Sequence, residues 1–291
     1  MDSVKPRFAP AAPVQKIAAA ASARWVFRGL FSWACWLLAP VCAVVSPAGA
    51  AEPLRALLIC GGCCHDYEAQ KKIISEGISA RANVTWTLLQ EGGSGNQGGR
   101  RDHPMSIYKD PHWAKPYDVV VHDECFGDVT NAAFIEQFVQ AHLEGVPAVV
   151  LHCAIHSYRH STTDQWRMLL GVSSYQHEAM RPFQVVNIGP EHPVMKGFPE
   201  SWKDYPDELY EIRKLWPNCA PLAKGIGAKG AEQVCIWVNT YGKARVFGTT
   251  LGHSNRTVGD PLYLDLLTRG LLWVCHKLDD NGHPLPGYAK P

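Results

Sequence analysis

Short apolar runs alternate with amphipathic stretches through the first half of the chain after residue 50. The apolar runs are rich in aliphatic residues and are bounded by Gly or by polar residues, which is typical of buried strands. They predict strands at 54–60, 84–89, 117–122 and 146–151. Apolar positions with a helical period predict helices at 68–81 and from Thr130 or Asn131 to about 143. This alternation favours an α/β fold with a central, mainly parallel sheet and helices on both faces.

The second half of the chain has a different pattern. The apolar runs predict strands at 183–188, 233–238 and 244–249, followed by a last helix at about 261–277. Tyr241-Gly242-Lys243 separates the last two strands and predicts a hairpin. The glycine-rich segment 91–104 predicts a flexible loop. The tail 280–291, rich in Pro and Gly, predicts a loose end.

Titratable side chains follow three of the predicted parallel strands. His65 comes just after the first strand, His122 ends the third, and His152 directly follows the fourth. His152 begins the stretch HCAIHSYRH, which contains three His, one Cys and one Arg. In an open parallel sheet, ligands bind beyond the carboxyl ends of the strands. The sequence therefore predicts a shared site there, although each histidine alone is also compatible with an ordinary core or surface position.

The first 50 residues predict a cleaved secretory signal. Basic residues precede an apolar run from Gly29 to Val45, and Ala48-x-Ala50 supplies the small residues of a cleavage site. Cleavage after Ala50 releases an exported protein, periplasmic or extracellular, that has no membrane partner. An uncleaved membrane anchor is the alternative, but Pro40 interrupts the run, which is short for a span of about 20 residues.

The remaining residues suit one large domain, predicted to span 51–279. Lys and Arg number 28 against 27 for Asp and Glu, and the formal net charge is +1. Because no basic stripe is visible, nucleic acid is not expected as a partner. The expected partner is a small molecule, and the sequence leaves the oligomeric state open, including a homo-oligomer.

Ten cysteines are present, of which Cys35 and Cys42 lie in the predicted signal. An exported protein can pair some of the others, but a domain of this size does not need a disulfide scaffold. Cys60-x-x-Cys63 has the spacing of a zinc or redox motif, but no second pair at zinc-ribbon spacing accompanies it. The sequence leaves the disulfide pairing open.

Several short motifs come in the order seen in ThuA-like (trehalose utilisation) domains. They are Leu57–Asp66, the HCAIH stretch His152–His156, His192-Pro193, Asp207–Tyr210, Trp237 with Tyr241-Gly242, Arg245-Val246-Phe247, Leu251-Gly252-His253 and Arg269–Trp273. The chain resembles this family over about residues 54–277. The resemblance implies a flavodoxin-like fold of the class I glutamine amidotransferase-like superfamily. It also implies a role in the catabolism of trehalose and related disaccharides through 3-keto-sugar intermediates.

The comparison with class I glutamine amidotransferases places Cys153 at the position of their nucleophile. Those enzymes carry the nucleophile in G-x-C-x-G and have a downstream His-x-Glu, whereas Cys153 lies in L-H-C-A-I and His253 precedes Ser-Asn. The elbow that holds such a nucleophile is a strained turn that needs small neighbours. ThuA-like domains usually carry His at the position of His152 and a small residue after it, so the resemblance implies that Cys153 is a small-residue substitute, and glutaminase chemistry is not expected.

The remaining candidates suit acid–base chemistry on a sugar. Cleavage of a 3-keto-glycoside by elimination needs a base for the C2 proton, an acid for the leaving oxygen and an electrophile for the enolate. The candidate catalytic residues are His152, His65, His253 and Asp207. The candidate substrate-binding residues are His156, Glu208, His122 and Tyr210.

The candidate catalytic residues are also candidate metal ligands. His65, His152, His253 and Asp207 would offer three imidazoles and a carboxylate, a set that suits zinc or another divalent metal. Because no H-E-x-x-H motif is present, such ligands must converge from distant segments. With these residues, the family resemblance implies an enzyme that processes a disaccharide or its 3-keto derivative, as a 3-keto-glycoside hydrolase, lyase or isomerase. A non-catalytic carbohydrate-binding module is the alternative.

Overall fold

The structure of the protein, a computed structural model, describes residues 51–290. The predicted signal at 1–50 lies outside the described residues. Within 51–290, no helix is both long enough and apolar enough to cross a membrane.

The described chain contains helices and strands throughout its length. The strands are β1 Leu54–Gly62, β2 Val84–Gln90, β3 Val119–Cys125, β4 Ala148–Leu151, β5 Val172–His177, β6 Gln184–Asn187, β7 Ser201–Lys203, β8 Tyr210–Leu215, β9 Ala220–Ile226, β10 Glu232–Tyr241 and β11 Ala244–Thr249. The α-helices are α1 Tyr67–Ser79, α2 Gly95–Gly98, α3 Ala132–Glu144, α4 Gln165–Leu170, α5 Asn255–Val258 and α6 Pro261–Val274. Short 3-10 helices span Ser106–Lys109, His152–His156 and Pro193–Met195.

The main sheet of residues 51–290 has nine strands in the order β2-β1-β3-β4-β11-β10-β9-β6-β7. The five strands from β2 to β11 are parallel to one another. The other four continue the sheet in antiparallel pairs, beginning with the hairpin that joins β10 to β11 at Gly242. Gly242 has a φ of +57°, a conformation that favours glycine. β5 and β8 form a separate antiparallel pair. The predicted parallel sheet and hairpin are thus confirmed.

Helices cover both faces of the parallel half, as the sequence predicts. Side chains of β1 alternate between two cores. Leu58 and Cys60 pack in the core that includes α1 and α6, whereas Leu57 and Ile59 pack in the core that includes α3 and α4. Every residue of β3 and β4 is buried, which explains why both strands begin as continuous apolar runs.

The parallel strands deliver their following loops to one edge of the sheet. β1 ends at Gly62, β3 at Cys125, β4 at Leu151 and β11 at Thr249. A short loop joins β1 to α1. The side chain of Asp66 caps α1 by accepting the Ala69 N–H, which fixes the start of the helix at Tyr67. The loops that carry the predicted histidines therefore begin next to one another.

The glycine-rich segment after β2 is folded, contrary to the expectation of a flexible loop. It contains α2, and the N–H of Gly62 donates to the carbonyl oxygen of Gly93 at 3.1 Å. A Cβ at Gly99 would lie 2.0 Å from the carbonyl oxygen of Gly62. Glycine at 99 therefore allows the segment to pack directly on the end of β1.

The carboxyl-terminal tail is also bound to the domain, which corrects the expectation of a loose end. The N–H of Asn83 donates to the carbonyl oxygen of Tyr288, and the Asn83 side chain donates to that of Gly287, each at 3.0 Å. Ala289 forms a backbone bridge with Ala82. Backbone pairing of this kind does not depend on apolar side chains, so the composition of the tail did not reveal it.

The apolar pattern did not predict β5, β7, β9 or α4. β7 has three residues and α4 has six. β5 is buried only in its first three residues. Elements this short or half-exposed leave too few apolar positions to establish a period.

Candidate active site

Three histidines from three strand ends meet at the carboxyl edge of the parallel strands. His65 follows β1, His152 follows β4 and His253 follows β11. The ring centroid of His65 lies 4.7 Å from that of His152 and 4.8 Å from that of His253. One ring nitrogen from each histidine lies within 4.8 Å of the other two. The structure thus brings together three residues that the sequence predicts to share a site, and we call them the histidine cluster.

His152 is held in one orientation and one tautomer. Its Nδ1 lies 2.6 Å from the carbonyl oxygen of Thr250, so Nδ1 carries the hydrogen and donates it. Its Nε2 is buried and has no hydrogen-bond partner among residues 51–290. The backbone φ of His152 is +39°, in the left-handed region that side-chain-bearing residues rarely adopt. This turn leaves the Nε2 lone pair free for a proton or a metal ion.

The turn after β11 is fixed to α1 by hydrogen bonds. Gln70 Nε2 donates to the carbonyl oxygens of Gly252 and His253, both at 3.2 Å. His65 Nδ1 also faces the His253 carbonyl oxygen, at 3.4 Å. Gly252 has a φ of +119°, and a Cβ there would lie 2.8 Å from the hydroxyl of Tyr263. Glycine is therefore required at this turn, which orients both His65 and His253.

Glu208 is the carboxylate that contacts the histidine cluster. Its Oε2 lies 3.5 Å from His152 Nε2, and its Oε1 lies 3.3 Å from His253 Nδ1. Oε1 also lies 3.5 Å from Nε2 of His177, at the end of β5. The Glu208 side chain is only 15% exposed. The Glu208 carboxylate therefore contacts three imidazole rings, those of His152, His253 and His177.

The charges in the cluster follow from burial and from these contacts. Burial favours the neutral form of Glu208, but His152 and His253 outweigh it and hold the pKa of Glu208 well below its usual range. Burial also opposes the charged form of His152, yet Glu208 and Asp207 raise the pKa of His152 above its ordinary value. Burial, with the charges of His152 and His253, lowers the pKa of His65 well below its ordinary value. His152 therefore takes up a proton more readily than His65.

Asp207 has a different part from the catalytic or ligand role predicted for it. Its carboxylate accepts the backbone N–H groups of Glu208 at 2.7 Å, Gly252 at 2.9 Å and His253 at 3.2 Å. Its closest approach to His152 is 3.9 Å, at the Nδ1 atom that already donates elsewhere. The geometry makes Asp207 a positioning residue that fixes the backbone of Glu208 and His253.

Asp204 lies behind Asp207. Burial and the charge of Asp207 raise the pKa of Asp204 to about 9, so Asp204 is protonated at neutral pH. Its Oδ1 accepts the hydroxyl of Thr257 at 3.1 Å. Asp204 therefore adds no negative charge next to Asp207 at neutral pH.

A cavity of about 130 Å³ adjoins the cluster. His65 and Glu208 line it together with His156, His177 and Tyr210. The ring of Tyr210 stacks on that of His156 at a centroid distance of 3.9 Å. Burial, with the charges of neighbouring cationic groups, lowers the pKa of His156 to about 2, so this ring stays neutral. The structure therefore brings three of the predicted substrate-binding residues to the cavity, namely His156, Glu208 and Tyr210.

Two arginines and His177 also line this cavity, and the sequence did not single them out. Arg159 lies in the HCAIHSYRH stretch and donates from Nη1 to the carbonyl oxygen of Tyr175 at 3.1 Å. Arg101 comes from the glycine-rich segment. Position within the motif could have identified Arg159, but β5, which carries His177, gave no apolar signal. A larger cavity of about 800 Å³ lies at the opposite edge of the sheet and contains no member of the histidine cluster.

His122 is the one predicted site residue that lies elsewhere. It is fully buried, with Nδ1 3.0 Å from Glu124 Oε1 and Nε2 3.1 Å from Nε2 of His142. His142 donates its own Nδ1–H to the carbonyl oxygen of Val146, so its Nε2 accepts from His122. Because side chains alternate along a strand, His122 projects with Val120 into the core beneath α3. The structure gives His122 a structural contact network instead of a place in the cavity.

Four cysteines lie beside the site in two disulfides. Cys63 is joined to Cys64, and Cys125 is joined to Cys153. Cys153 therefore has no free thiol, which agrees with the expectation that it is not a nucleophile. Cys60 is buried and unpaired, so the Cys60-x-x-Cys63 spacing does not form a disulfide.

The sequence pattern of the ThuA family, described as trehalose utilisation, matches residues 102–274, which is more than half of the chain. The chain belongs to the ThuA family. The matched range contains His152, Glu208 and His253, and His65 lies before it. Membership of the ThuA family indicates a role in the utilisation of trehalose or related carbohydrates. No curated protein matches the chain.

Solved structures of ThuA-like proteins share the fold. One, from Parabacteroides merdae ATCC 43184, is 22% identical with a TM-score of 0.58, and the alignment covers 77% of this chain and 90% of that chain. Another, from Bacteroides uniformis ATCC 8492, is 18% identical with a TM-score of 0.58, and the alignment covers 79% and 95% respectively. These similarities confirm the predicted flavodoxin-like fold.

Proposed function

We propose that this ThuA protein is an exported enzyme that processes a disaccharide or its 3-keto derivative by glycosidic cleavage or isomerisation. The observation that carries the proposal is the convergence of His65, His152 and His253 at the edge of a cavity, with Glu208 in contact with His152 and His253. Imidazole and carboxylate groups in contact, but differing in pKa, are the groups that acid–base catalysis uses. The family's link to carbohydrate utilisation supplies the substrate class.

We further propose that the histidine cluster holds a divalent metal ion, for which zinc is a fitting candidate. Nε2 of His152 and Nδ1 of His253 face Glu208 at 3.5 and 3.3 Å, but neither contact has hydrogen-bond geometry, so both buried nitrogens lack a hydrogen-bond partner within 51–290, as expected of groups that bind another ligand. The Nδ1–H of His152 donates to Thr250, an arrangement that commonly orients metal-ligating histidines. Glu208 is the fourth donor, in place of the predicted Asp207. A bound divalent ion would polarise the carbonyl oxygen of a 3-keto-sugar and acidify the neighbouring C–H.

Proton transfer is assigned to His177. Glu208 is a weak base, because His152 and His253 lower its pKa by more than burial raises it. His156 is occupied by its contact with Ser174 at 3.0 Å. The His177 side chain is 37% exposed at the cavity, and its Nε2 is oriented by Glu208. Its Nδ1 faces the carbonyl oxygen of Glu178 at 2.8 Å, so a proton would be exchanged with a sugar through Nε2, in place of the contact with Glu208.

Export is supported by the cysteine chemistry of the mature chain. Disulfides form and persist in oxidising compartments such as the periplasm and the extracellular space. The pairs Cys63–Cys64 and Cys125–Cys153 therefore agree with the secretory signal predicted at residues 1–50. This makes a periplasmic or extracellular location part of the proposal.

Incubation of the purified protein with 3-keto-trehalose tests the proposal. We expect glucose-containing products or an isomer to form, to stop after treatment with a chelator and to return when zinc is added. His152→Ala should abolish turnover with the circular dichroism spectrum unchanged. His160→Ala is the matched control in the same stretch, because His160 is exposed and lies outside the cluster. Binding of the sugar without turnover, with or without metal, would instead establish a non-catalytic carbohydrate-binding module.

A further inference from the structure

The two disulfides beside the site form one continuous row of sulfur atoms. Cys63 and Cys64 belong to the loop after β1, Cys125 ends β3, and Cys153 lies in the 3-10 helix after β4. Sγ of Cys63 lies 3.7 Å from Sγ of Cys125, so the two disulfides touch. The order along the row is Cys64, Cys63, Cys125, Cys153, and we call it the sulfur row.

The sulfur row has one accessible end. Cys64 is half-buried, whereas Cys63, Cys125 and Cys153 are each only 5% exposed. Cys64 lines the 130 Å³ cavity together with Arg101, as do Cys125 and Cys153, but Cys64 has the largest exposed fraction of the three. Thiolate attack on a disulfide depends on access and is favoured near cationic groups. Among the four sulfurs, that of Cys64 is therefore the one that a small thiolate reaches first.

The buried end of the row adjoins the histidine cluster. Cys153 is the residue directly after His152, and it lines the same cavity as His65 and Glu208. Its bond to Cys125 ties the segment that carries His152 to the end of β3. A change of partner at Cys125 would therefore release a sulfur next to the proposed catalytic residues.

We propose that the sulfur row is a thiol–disulfide exchange site, with Cys64 as the point of attachment for a low-molecular-weight anionic thiol and Cys153 as the thiol finally released. In the first step the external thiolate forms a bond to Cys64 Sγ, and the Cys64–Cys63 bond breaks to leave a Cys63 thiolate. In the second step this thiolate forms a bond to Cys125 Sγ, and the Cys125–Cys153 bond breaks. Cys153 leaves as the thiolate and takes a proton from solvent, so one external thiol is consumed, one protein thiol appears, and no net oxidation occurs.

The chain provides internal controls for this chemistry. Cys219 and Cys275 are unpaired and lie away from the row, and burial raises the pKa of each thiol to about 12. Both stay in the unreactive thiol form at neutral pH. Burial also raises the pKa of the unpaired Cys60 and Cys235 thiols above the usual range, so among the described cysteines a new reactive thiol after exchange comes from the sulfur row.

Differential alkylation after reaction with reduced glutathione tests this proposal. The purified full chain is first blocked under native conditions, exposed to about one equivalent of glutathione without air, quenched in acid, labelled with a second alkylating agent and sequenced by mass spectrometry. We expect glutathione on Cys64, the new thiol on Cys153 and a Cys63–Cys125 disulfide. A new thiol that stays on Cys63 would contradict the second step. Absence of any mixed disulfide, or its formation on Cys125 or Cys153, would contradict the first.

Two variants separate the steps. Cys125→Ser combined with Cys153→Ser removes the second disulfide, so glutathione should still attach to Cys64 while the new thiol stays on Cys63. Cys219→Ser, remote from the row, should reproduce the wild-type pattern. If the double variant fails to fold, the location of the new thiol in the wild-type chain decides the matter alone. The outcome does not depend on turnover of any sugar, so this proposal and the proposed function can fail separately.

Discussion

Nε2 of His152 and Oε2 of Glu208 lie 3.5 Å apart, with both side chains largely buried. The pair links the end of β4 to the segment before β8, and Glu208 also contacts His253 after β11. When a metal ion replaces the proton on His152, the Glu208 carboxylate still faces a positive charge, so no unpaired buried charge is created. The proposed metal site and the acid–base properties of the cluster therefore rest on the same contact.

Removal of the Glu208 charge should lower the pKa of His152. Burial opposes the protonated imidazole, and Glu208 is the largest influence that favours it. In Glu208→Gln, burial still lowers the pKa of His152, but the carboxylate that raises it is absent. A histidine NMR titration of the metal-free protein should show the His152 resonance shifting at a pH below that of the wild type. An unchanged titration would show that Glu208 does not pair with His152.

Loss of one histidine of the cluster should release the metal ion. His253→Ala removes a nitrogen donor that faces Glu208 at 3.3 Å, and the affinity for zinc should fall by about 100-fold or more. Competition with a chromophoric chelator measures this affinity. His122→Ala serves as a comparison, because His122 lies in a separate buried network and is not a ligand in this account. Equal zinc affinity in wild type and His253→Ala would contradict the assignment.

Asp207→Asn should weaken the site through its backbone. The Asp207 carboxylate accepts three N–H groups, and an amide in its place would point one NH₂ group at a backbone donor. An unsatisfied buried donor costs about 1–3 kcal/mol, so the free energy of unfolding should fall by that amount. A positioning role predicts, in addition, a weaker zinc affinity with the same ligand set. Reduced stability with unchanged zinc affinity would limit Asp207 to a structural role.

His142 should make stability depend on pH. Burial and the neighbouring His122 lower the pKa of His142 to about 3, so it stays neutral in the folded protein down to that pH. In the unfolded chain this residue binds a proton below a pKa of about 6.5. The contribution of neutral His142 to the free energy of unfolding is therefore present above that pH and is lost as pH falls towards 3. Between pH 7.5 and 5 the loss is about 2 kcal/mol.

Comparison with His142→Gln isolates this contribution from the opposite effect of buried carboxyl groups such as Asp204. Urea denaturation at both pH values should show that the pH dependence of the variant differs from that of the wild type by the predicted amount. Identical pH dependence in the two proteins would mean that His142 is protonated in the folded state.

The sequence predicted the part of the site that follows from strand topology. Parallel strands end at one edge of a sheet, and only β3 separates β1 from β4, so His65 and His152 were expected at the same edge, where their ring centroids lie 4.7 Å apart. His122 was misplaced because its position in the chain gives the strand but not the face on which the side chain projects. His122 and Asp123 project to opposite faces of the sheet, and only the packing of α3 shows that His122 is on the face that α3 covers.

Other parts of the site depend on interactions that the sequence does not encode locally. The choice between Asp207 and Glu208 as the carboxylate of the cluster depends on which side chain takes the backbone N–H groups of a distant turn. His177 lies at the end of β5, which within residues 51–290 pairs only with β8. The pairing of Cys125 with Cys153 depends on the spacing of two neighbouring strands.

The central claim is that the histidine cluster is a metal centre, and X-ray absorption at the zinc edge tests it most directly. The protein, purified without chelator and loaded with one equivalent of zinc, should show only nitrogen and oxygen ligands at about 2.0–2.1 Å, as expected for His65, His152, His253 and Glu208. Absence of tightly bound zinc would contradict the claim, as would sulfur ligands at about 2.3 Å, which would place the ion among the cysteines instead.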